Sequence, residues 1–286
     1  KMIKKSKKIL IANKESIICG WNLIKKDASK FKVKIIPVDS EHYSISKLLD
    51  TDDKKNIDKI YLTASGGPFL NFKISKLKKV KPNQAIKHPK WKMGKKISVD
   101  SSTLMNKLLE LIEASKLFSI DSKKIEIIIH PESLIHAIVK LKNGLYKFIY
   151  HETSMMVPLA NCILEEGTEV NKFFEKKNFL SDKNLKNLSF LSVNKKKFPL
   201  IKIKPRVTEY QSTPIIINAV NEILVDLYLN KKIAYTSFFG HIMNVLNDRN
   251  YKKYAIRIPT NLNQILLIDK WARETTFKNI KIKKNA

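Results

Sequence analysis

The chain has 286 residues, enough for one large domain or two moderate ones, and 43 % of them are hydrophobic, which supports a real core. A formal net charge of +29 points first to nucleic acid, yet all but four of the 55 basic residues are lysine and they are scattered along the chain. Nucleic-acid readers lean on arginine for bidentate contacts, so codon bias from an AT-rich genome explains the Lys, Ile and Asn content better. No apolar run approaches the roughly 18 residues of a membrane span, and no secretory signal is visible. The two isolated cysteines, Cys19 and Cys162, form neither a disulfide framework nor a metal-type pair, which fits a reducing compartment.

Residues 8–12 predict a short strand, 16–29 a helix and 32–38 a second strand, an order that suggests a parallel α/β unit. The second strand runs out in Asp39-Ser40-Glu41-His42. If that run is extended, Asp39 and Glu41 point the same way, with Ser40 opposite. Residues 46–58 read as a helix and a charged loop, and 59–63 as a strand ending in Ala64-Ser65-Gly66-Gly67-Pro68. A Gly pair after a strand is either a plain turn or a place where backbone N–H groups approach an anion.

The stretch from His88 to Phe118 organises the rest. A Pro- and Gly-punctuated loop carries His88, Trp91, Met93 and Gly94; 96–99 predicts a short strand, and Asp100, Ser101, Ser102 and Thr103 read as capping residues before a helix. Leu104, Met105, Leu108, Leu109, Leu111 and Ile112 make that helix apolar around most of its surface, so it is expected to be buried. Asn106, Glu110 and Glu113 nevertheless form one polar stripe at i, i+4 and i+7, with Lys107 beside it. A buried carboxylate is costly unless it is paired or holds a metal. Residues 124–130, 135–140 and 146–150 predict strands, the last two joined antiparallel by Lys142-Asn143-Gly144. Residues 161–197 are polar and Lys-rich and read as a linker with short elements. From Thr213 the pattern is helical, with further helices over 238–246 and 262–275.

Asp39, Glu41 and Glu110 together make a hard, all-oxygen ligand set suited to Mg²⁺ or Mn²⁺ rather than zinc; alternatively Glu110 pairs with Lys107 on a solvated face. Ser101 at a helix N-terminus, with Ser65, Asn106 and Lys107, makes either a phosphate cradle or a simple N-cap. His88 reads as a substrate or proton-shuttle residue, or as an ordinary loop histidine. His136, mid-strand, reads as a hydrogen-bonded core histidine. Trp91 and Met93 suit a lid that covers a ligand, or a surface anchor.

Several segments, in order, resemble the 1-deoxy-D-xylulose 5-phosphate reductoisomerase family: ANKES (12–16), PVDSEH (37–42), TASGGPF (63–69), HPKWKMGKKISVDSSTLMNK (88–107), IHPESLIHAIV (129–139) and INAVNEILV (217–225). A segment around Trp271 extends the match towards the C-terminus. The resemblance implies an NADPH- and metal-dependent enzyme that rearranges 1-deoxy-D-xylulose 5-phosphate and reduces the resulting aldehyde to 2-C-methyl-D-erythritol 4-phosphate, a step of isoprenoid precursor biosynthesis. It implies that Asp39, Glu41 and Glu110 hold Mg²⁺ or Mn²⁺. Lys14, Ser40, Ser65, His88, Ser101, Asn106 and Lys107 would bind the sugar phosphate, and Glu41 and Glu110 would meet it at the metal. Asn13, Glu15 and Gly94 would touch NADPH, with Trp91 and Met93 in the lid. Glu113 is either a support for that site or the partner of a lysine. The resemblance also implies a homodimer in a bacterial cytoplasm or a plastid-type organelle, with neither nucleic acid nor membrane as partner.

The expected fold is α/β: an α+β catalytic domain with a mixed sheet, followed by a C-terminal helical domain, with only the end of a Rossmann-type domain at the N-terminus. The expected boundaries are 1–38 for that remnant, 39–160 for the metal and substrate domain with its lid loop 88–95, 161–205 for the linker, and 206–286 for the helical domain. The family's Gly-rich G-x-T-G-x-x-G turn is absent, since no glycine precedes Gly20, so the sequence is expected to be partial and unable to turn over alone. Other departures are Leu108 where the family usually has glycine, Thr153 for a usual proline, and Pro199 and Pro205 in a stretch that is helical in the family. These motivate the alternative of a degenerate, non-catalytic relative. A basic anion- or nucleic-acid-binding module is the other alternative.

Overall fold

The structure is a computed structural model, and it describes residues 2–49, 54–151, 153–164 and 188–280. In chain order these form β1 (Lys8–Ile11), α1 (Lys14–Lys30), β2 (Lys34–Pro37), α2 (Ser40–Leu49), β3 (Ile57–Ala64), α3 (Pro82–Ala85), α4 (Lys95–Thr103) and α5 (Met105–Phe118). Then follow β4 (Ile125–Ile129), β5 (Ile135–Leu141), β6 (Tyr146–Tyr150), α6 (Met156–Ile163), β7 (Leu191–Ser192), α7 (Thr213–Leu229), α8 (Phe238–Leu246), α9 (Tyr251–Ala255) and α10 (Leu262–Asn279). The chain divides into two compact units, each built from separate segments. The first takes Lys1–Asn13, Asp27–Ser65 and Phe118–Val193; the second takes Lys14–Lys26, Gly66–Leu117 and Asn194–Ala286.

In the first unit, β1 and β2 pair in parallel with Ile9 opposite Ile35, as the strand–helix–strand order predicts. A separate five-stranded sheet has the order β6-β5-β3-β4-β7, parallel between β3 and β4 and antiparallel elsewhere, which is the expected mixed sheet. Ile125, Ile127 and Ile129 alternate with less buried residues along β4, the period-2 signature of a strand. β5 is buried on both faces, and α2 packs against it. Of the stretch expected to be linker, 165–187 lie outside the described residues, whereas Leu191–Ser192 adds an edge strand to β4. Residues 50–53 of the expected charged loop also lie outside them.

The second unit is helical around α5, on which Met105, Leu108, Leu109, Leu111, Ile112 and Ala114 have no exposed surface. Leu108 therefore fits a regular, fully buried helix at the position where glycine was expected. α7 packs against α4, α8 and α10. Pro199–Arg206 winds as a 3-10 helix rather than an α-helix; Pro205 inside it lacks the N–H that an α-helix needs.

Two local expectations are corrected. Residues 96–99 are not a strand: α4 starts at Lys95 after an extended Gly94 and runs through Thr103. The β-branched Ile97 and Val99 favour a strand locally, but the hydroxyls of Ser98, Ser102 and Thr103 bond back to carbonyls of the same helix or of its cap, Gly94. Ser101 thus sits in the last turn of α4, not at a helix N-terminus. Leu104 then takes a left-handed conformation, φ 62°, which breaks α4 from α5. Nor is 39–42 extended. Asp39 caps α2: its Oδ1 accepts the Glu41 N–H at 3.2 Å and its carbonyl accepts the Tyr43 N–H at 2.7 Å.

Candidate functional site

In the first unit, β2 delivers Asp39 and the start of α2 delivers Ser40 and Glu41. Two carboxylates at a helix N-terminus are favoured there by the helix dipole. The Ser40 hydroxyl donates to Glu41 Oε2 at 2.7 Å, and His42 Nδ1 lies 3.4 Å from Asp39 Oδ1. His136, buried on β5, places Nδ1 3.9 Å from Glu41 Oε1 and stacks on His151 with ring centroids 4.1 Å apart. His136 is thus a core histidine, as the strand pattern suggested, but one that faces a candidate ligand. Ser65 follows β3 and is half-buried, and Asn13 is exposed just before α1.

The second unit gathers the polar stripe of α5 with the first turn of α1. Lys14 Nζ lies 3.2 Å from Asn106 Oδ1, 3.3 Å from Glu110 Oε1 and 3.9 Å from Glu113 Oε2. Lys107 Nζ donates to Glu110 Oε2 at 2.7 Å, and the Asn106 amide donates to Glu110 Oε1. Glu110 does pair with Lys107, but it is 1 % exposed rather than on a solvated face. Two ammonium groups and an amide therefore give a buried carboxylate its countercharge and hydrogen bonds.

His88 is held in its loop by two backbone N–H groups, of Lys90 at 3.1 Å and Trp91 at 3.0 Å, which donate to Nδ1. The proton is thereby fixed on Nε2. Burial, with the Lys107 charge adding to it, pushes the imidazole down to about 4, so His88 is a neutral donor near pH 7 and not a ready proton shuttle. His88, Trp91, Met93 and Gly94 line an open cavity of about 620 Å³.

In the Gly66-Gly67 pair, Gly67 serves a close approach of backbone to backbone. Gly67 has φ +62°, and a Cβ there would come within 3.1 Å of Ser101 O and Ser102 Cα. The reason for Gly67 is the packing of α4's last turn, which no local sequence signal reveals; at Gly66, φ +83°, a Cβ would instead meet the Leu70 side chain.

Sequence reasoning passed over Lys96 and Asn221 and read Asp100 only as a capping residue, whereas it lies inside α4. Lys96 Nζ sits 3.0 Å from Asp100 Oδ2 and 3.0 Å from Glu15 Oε1, while Asn221 Nδ2 donates to Asp100 Oδ1 at 2.8 Å. Burial raises the Asp100 carboxyl above its usual range against the pull of Lys96 and Asn221. Lys96 is held above the usual lysine range by its two carboxylates, although burial opposes it. Burial likewise opposes Glu15, which its own backbone N–H and Lys96 still hold below the usual carboxylate range. One signal was available: Asn218 and Asn221, with Glu222, interrupt the apolar run of α7 between Ile215 and Val225.

Comparison with known proteins is consistent along the chain. A family model described as the 1-deoxy-D-xylulose 5-phosphate reductoisomerase C-terminal domain matches residues 35–118, and one described as the DXP reductoisomerase C-terminal domain matches 152–275. The 1-deoxy-D-xylulose 5-phosphate reductoisomerase of Pelagibacter ubique (strain HTCC1062) is 45 % identical over 92 % of this chain, and that of Wolbachia pipientis wMel is 44 % identical over 80 %. The matches span 67 % and 59 % of those two proteins. Among solved structures, a DOX-P reductoisomerase in complex with NADPH, fosmidomycin and magnesium superposes with a TM-score of 0.86 at 31 % identity, covering 100 % of this chain and 72 % of that one. The Zymomonas mobilis reductoisomerase in complex with NADPH gives 0.82 at 29 % identity, covering 98 % and 70 %. With this identity and coverage, the chain belongs to the 1-deoxy-D-xylulose 5-phosphate reductoisomerase family.

Proposed function

We propose that this chain supplies the metal, sugar-phosphate and lid machinery of an NADPH-dependent 1-deoxy-D-xylulose 5-phosphate reductoisomerase. The observation that carries the reading is the buried Glu110 carboxylate, met by Lys14, Asn106 and Lys107 within a stretch that a family model matches. Asp39, Glu41 and Glu110 offer only carboxylate oxygens, a donor set that fits Mg²⁺ or Mn²⁺. When bound, such an ion supplies Lewis-acid polarisation of the substrate's oxygens, and NADPH supplies the hydride.

The side chains do the binding and orienting. Lys14, Ser65, Ser101, Asn106 and Lys107 hold the phosphate, with Ser40 as a further substrate contact. Contacts remote from the reacting carbons orient the substrate for the chemical step. His88 donates its Nε2–H to a substrate oxygen, since Nδ1 is already occupied by the Lys90 and Trp91 amides. Trp91 and Met93 close over the substrate and exclude water, and Asn13, Glu15 and Gly94 contact the cofactor. Glu113, 3.9 Å from Lys14, supports that lysine, and His136 supports Glu41. The active form is a homodimer without nucleic acid or membrane as partner. Among the described residues no helix is long and apolar enough to cross a membrane.

Calorimetric titration with Mn²⁺ tests the reading: Asp39→Ala is expected to abolish binding, and unchanged affinity overturns the ligand set. We also infer that this 286-residue polypeptide alone does not complete hydride transfer, because it contains no Gly-rich dinucleotide turn. Steady NADPH oxidation with substrate and Mn²⁺ would refute that. Sedimentation equilibrium checks the dimer, with twice the 33.1 kDa chain mass expected.

A further inference from the structure

Ser101 lies in the last turn of α4, just before the left-handed break at Leu104, a place where a helix end ordinarily frays. Within the second unit that turn is boxed in. Gly67 abuts the Ser101 carbonyl and Ser102 Cα, the Tyr235 hydroxyl donates to the Ser102 carbonyl, and Asn221 on α7 donates to the neighbouring Asp100 at 2.8 Å. Asp100 is 1 % exposed, so its charge needs a cation, and Lys96 supplies it one turn earlier at 3.0 Å. The same ammonium reaches Glu15 at 3.0 Å. Glu15, Lys96, Asp100 and Asn221 therefore form one continuous chain of charge-assisted bonds. It joins the first turn of α1, both ends of α4 and the middle of α7.

What this chain joins matters. Lys14, adjacent to Glu15, reaches Asn106 and Glu110; Ser101 is adjacent to Asp100; and Lys96 is the second residue after Gly94, where the loop carrying His88, Trp91 and Met93 ends. An ammonium shared by two carboxylates holds both in one geometry. A break in it lets α4 move against α1 without removing any group that touches the phosphate.

We propose that Lys96 is a positioning residue for sugar-phosphate binding: by bridging Glu15 and Asp100 it holds Lys14 and Ser101 in register with each other. This rests on the phosphate reading of those two residues given above. Lys96 touches neither substrate nor metal in this scheme, and Lys107, 2.7 Å from Glu110, keeps that carboxylate in place when Lys14 shifts, so the loss of Lys96 acts on the affinity for the phosphate.

Titration calorimetry of the full chain with 1-deoxy-D-xylulose 5-phosphate, and separately with Mn²⁺, tests this. Lys96→Gln is expected to raise the sugar-phosphate Kd about tenfold with the Mn²⁺ Kd unchanged, the size typical when a supporting group is lost. Lys96→Arg, whose guanidinium can bridge two carboxylates, is expected to restore affinity to within about threefold. Should Lys96→Gln not fold, Glu15→Gln carries the test: Glu15 is partly exposed, and the change cuts the bridge while leaving Lys96 paired with Asp100. Sugar-phosphate affinity within twofold of wild type in the folded variant overturns the proposal. So does parallel loss of sugar phosphate and Mn²⁺, which marks a general structural role. Failure of the wild-type chain to bind sugar phosphate while binding Mn²⁺ overturns the phosphate reading and this proposal with it.

Discussion

Glu110 shows how one buried carboxylate organises its surroundings. Lys14 and Lys107, each 8 % exposed, both point their ammonium groups at it. Removing the carboxylate leaves two nearly buried cations short of countercharge, so Glu110→Ala is expected to destabilise the metal-free chain by about 3 kcal/mol, measured by urea unfolding. A loss below 0.5 kcal/mol would mean that Glu113 and water compensate. His88 makes a second residue-level test. Its folded pKa is depressed to about 4 from 6.5. Between those values the unfolded chain binds a proton that the folded chain does not, so stability falls as pH drops from 6.5 towards 4 and changes no further from this group below that. Imidazole ¹⁵N shifts are expected to show a midpoint near 4 with the proton on Nε2; a midpoint near 6.5 would contradict the loop geometry. The candidate residues could be named from the sequence because their types carry chemistry. Their pairings were not, because a single lysine among many gives no hint of which carboxylate it meets.

At the scale of elements, the instructive failure is α4. Ser101, Ser102 and Thr103 read as N-caps, yet they lie in the last turn of α4, where the Ser102 and Thr103 hydroxyls bond to carbonyls one turn back. The same ambiguity applied to 39–42, where Asp39 caps a helix rather than continuing a strand. Alternation predicts side-chain direction only after the backbone is known to be extended. By contrast β4, α5, α7 and α8 were legible, since their apolar periods are long and unbroken. The Gly66-Gly67 turn yields a prediction of its own. Gly67→Ala puts a Cβ 3.1 Å from backbone atoms of Ser101 and Ser102, at a positive φ. It is expected to cost about 2 kcal/mol in thermal or chemical unfolding and to shift the Ser101 amide resonance. An unchanged Ser101 resonance would show that the turn does not brace α4.

For the whole molecule, a net charge of +29 means that lysines repel one another throughout the surface. Raising KCl from about 10 to about 150 mM shortens the Debye length from about 30 to about 8 Å, so the melting midpoint is expected to rise. A fall would show that surface pairs such as Lys140–Asp58 outweigh the general repulsion. The charge therefore bears on solubility and anion attraction rather than on fold. The division into two units was invisible in the sequence, because each collects three segments separated by stretches of the other. Long-range burial, not local composition, sets such units.

By itself the sequence determined the family, through long ordered motifs. It also determined the mixed α/β character, through strand and helix periods, and the residue types able to bind a metal and a phosphate. Only the tertiary structure decided that Ser101 ends a helix rather than starting one, that Gly67 braces that turn, and that Lys96 ties Glu15 to Asp100. The physical reason is common to all three. Each depends on a partner from a distant segment, and the energy of a buried pair or a close backbone contact outweighs the few tenths of a kcal/mol by which local propensity distinguishes one conformation from another.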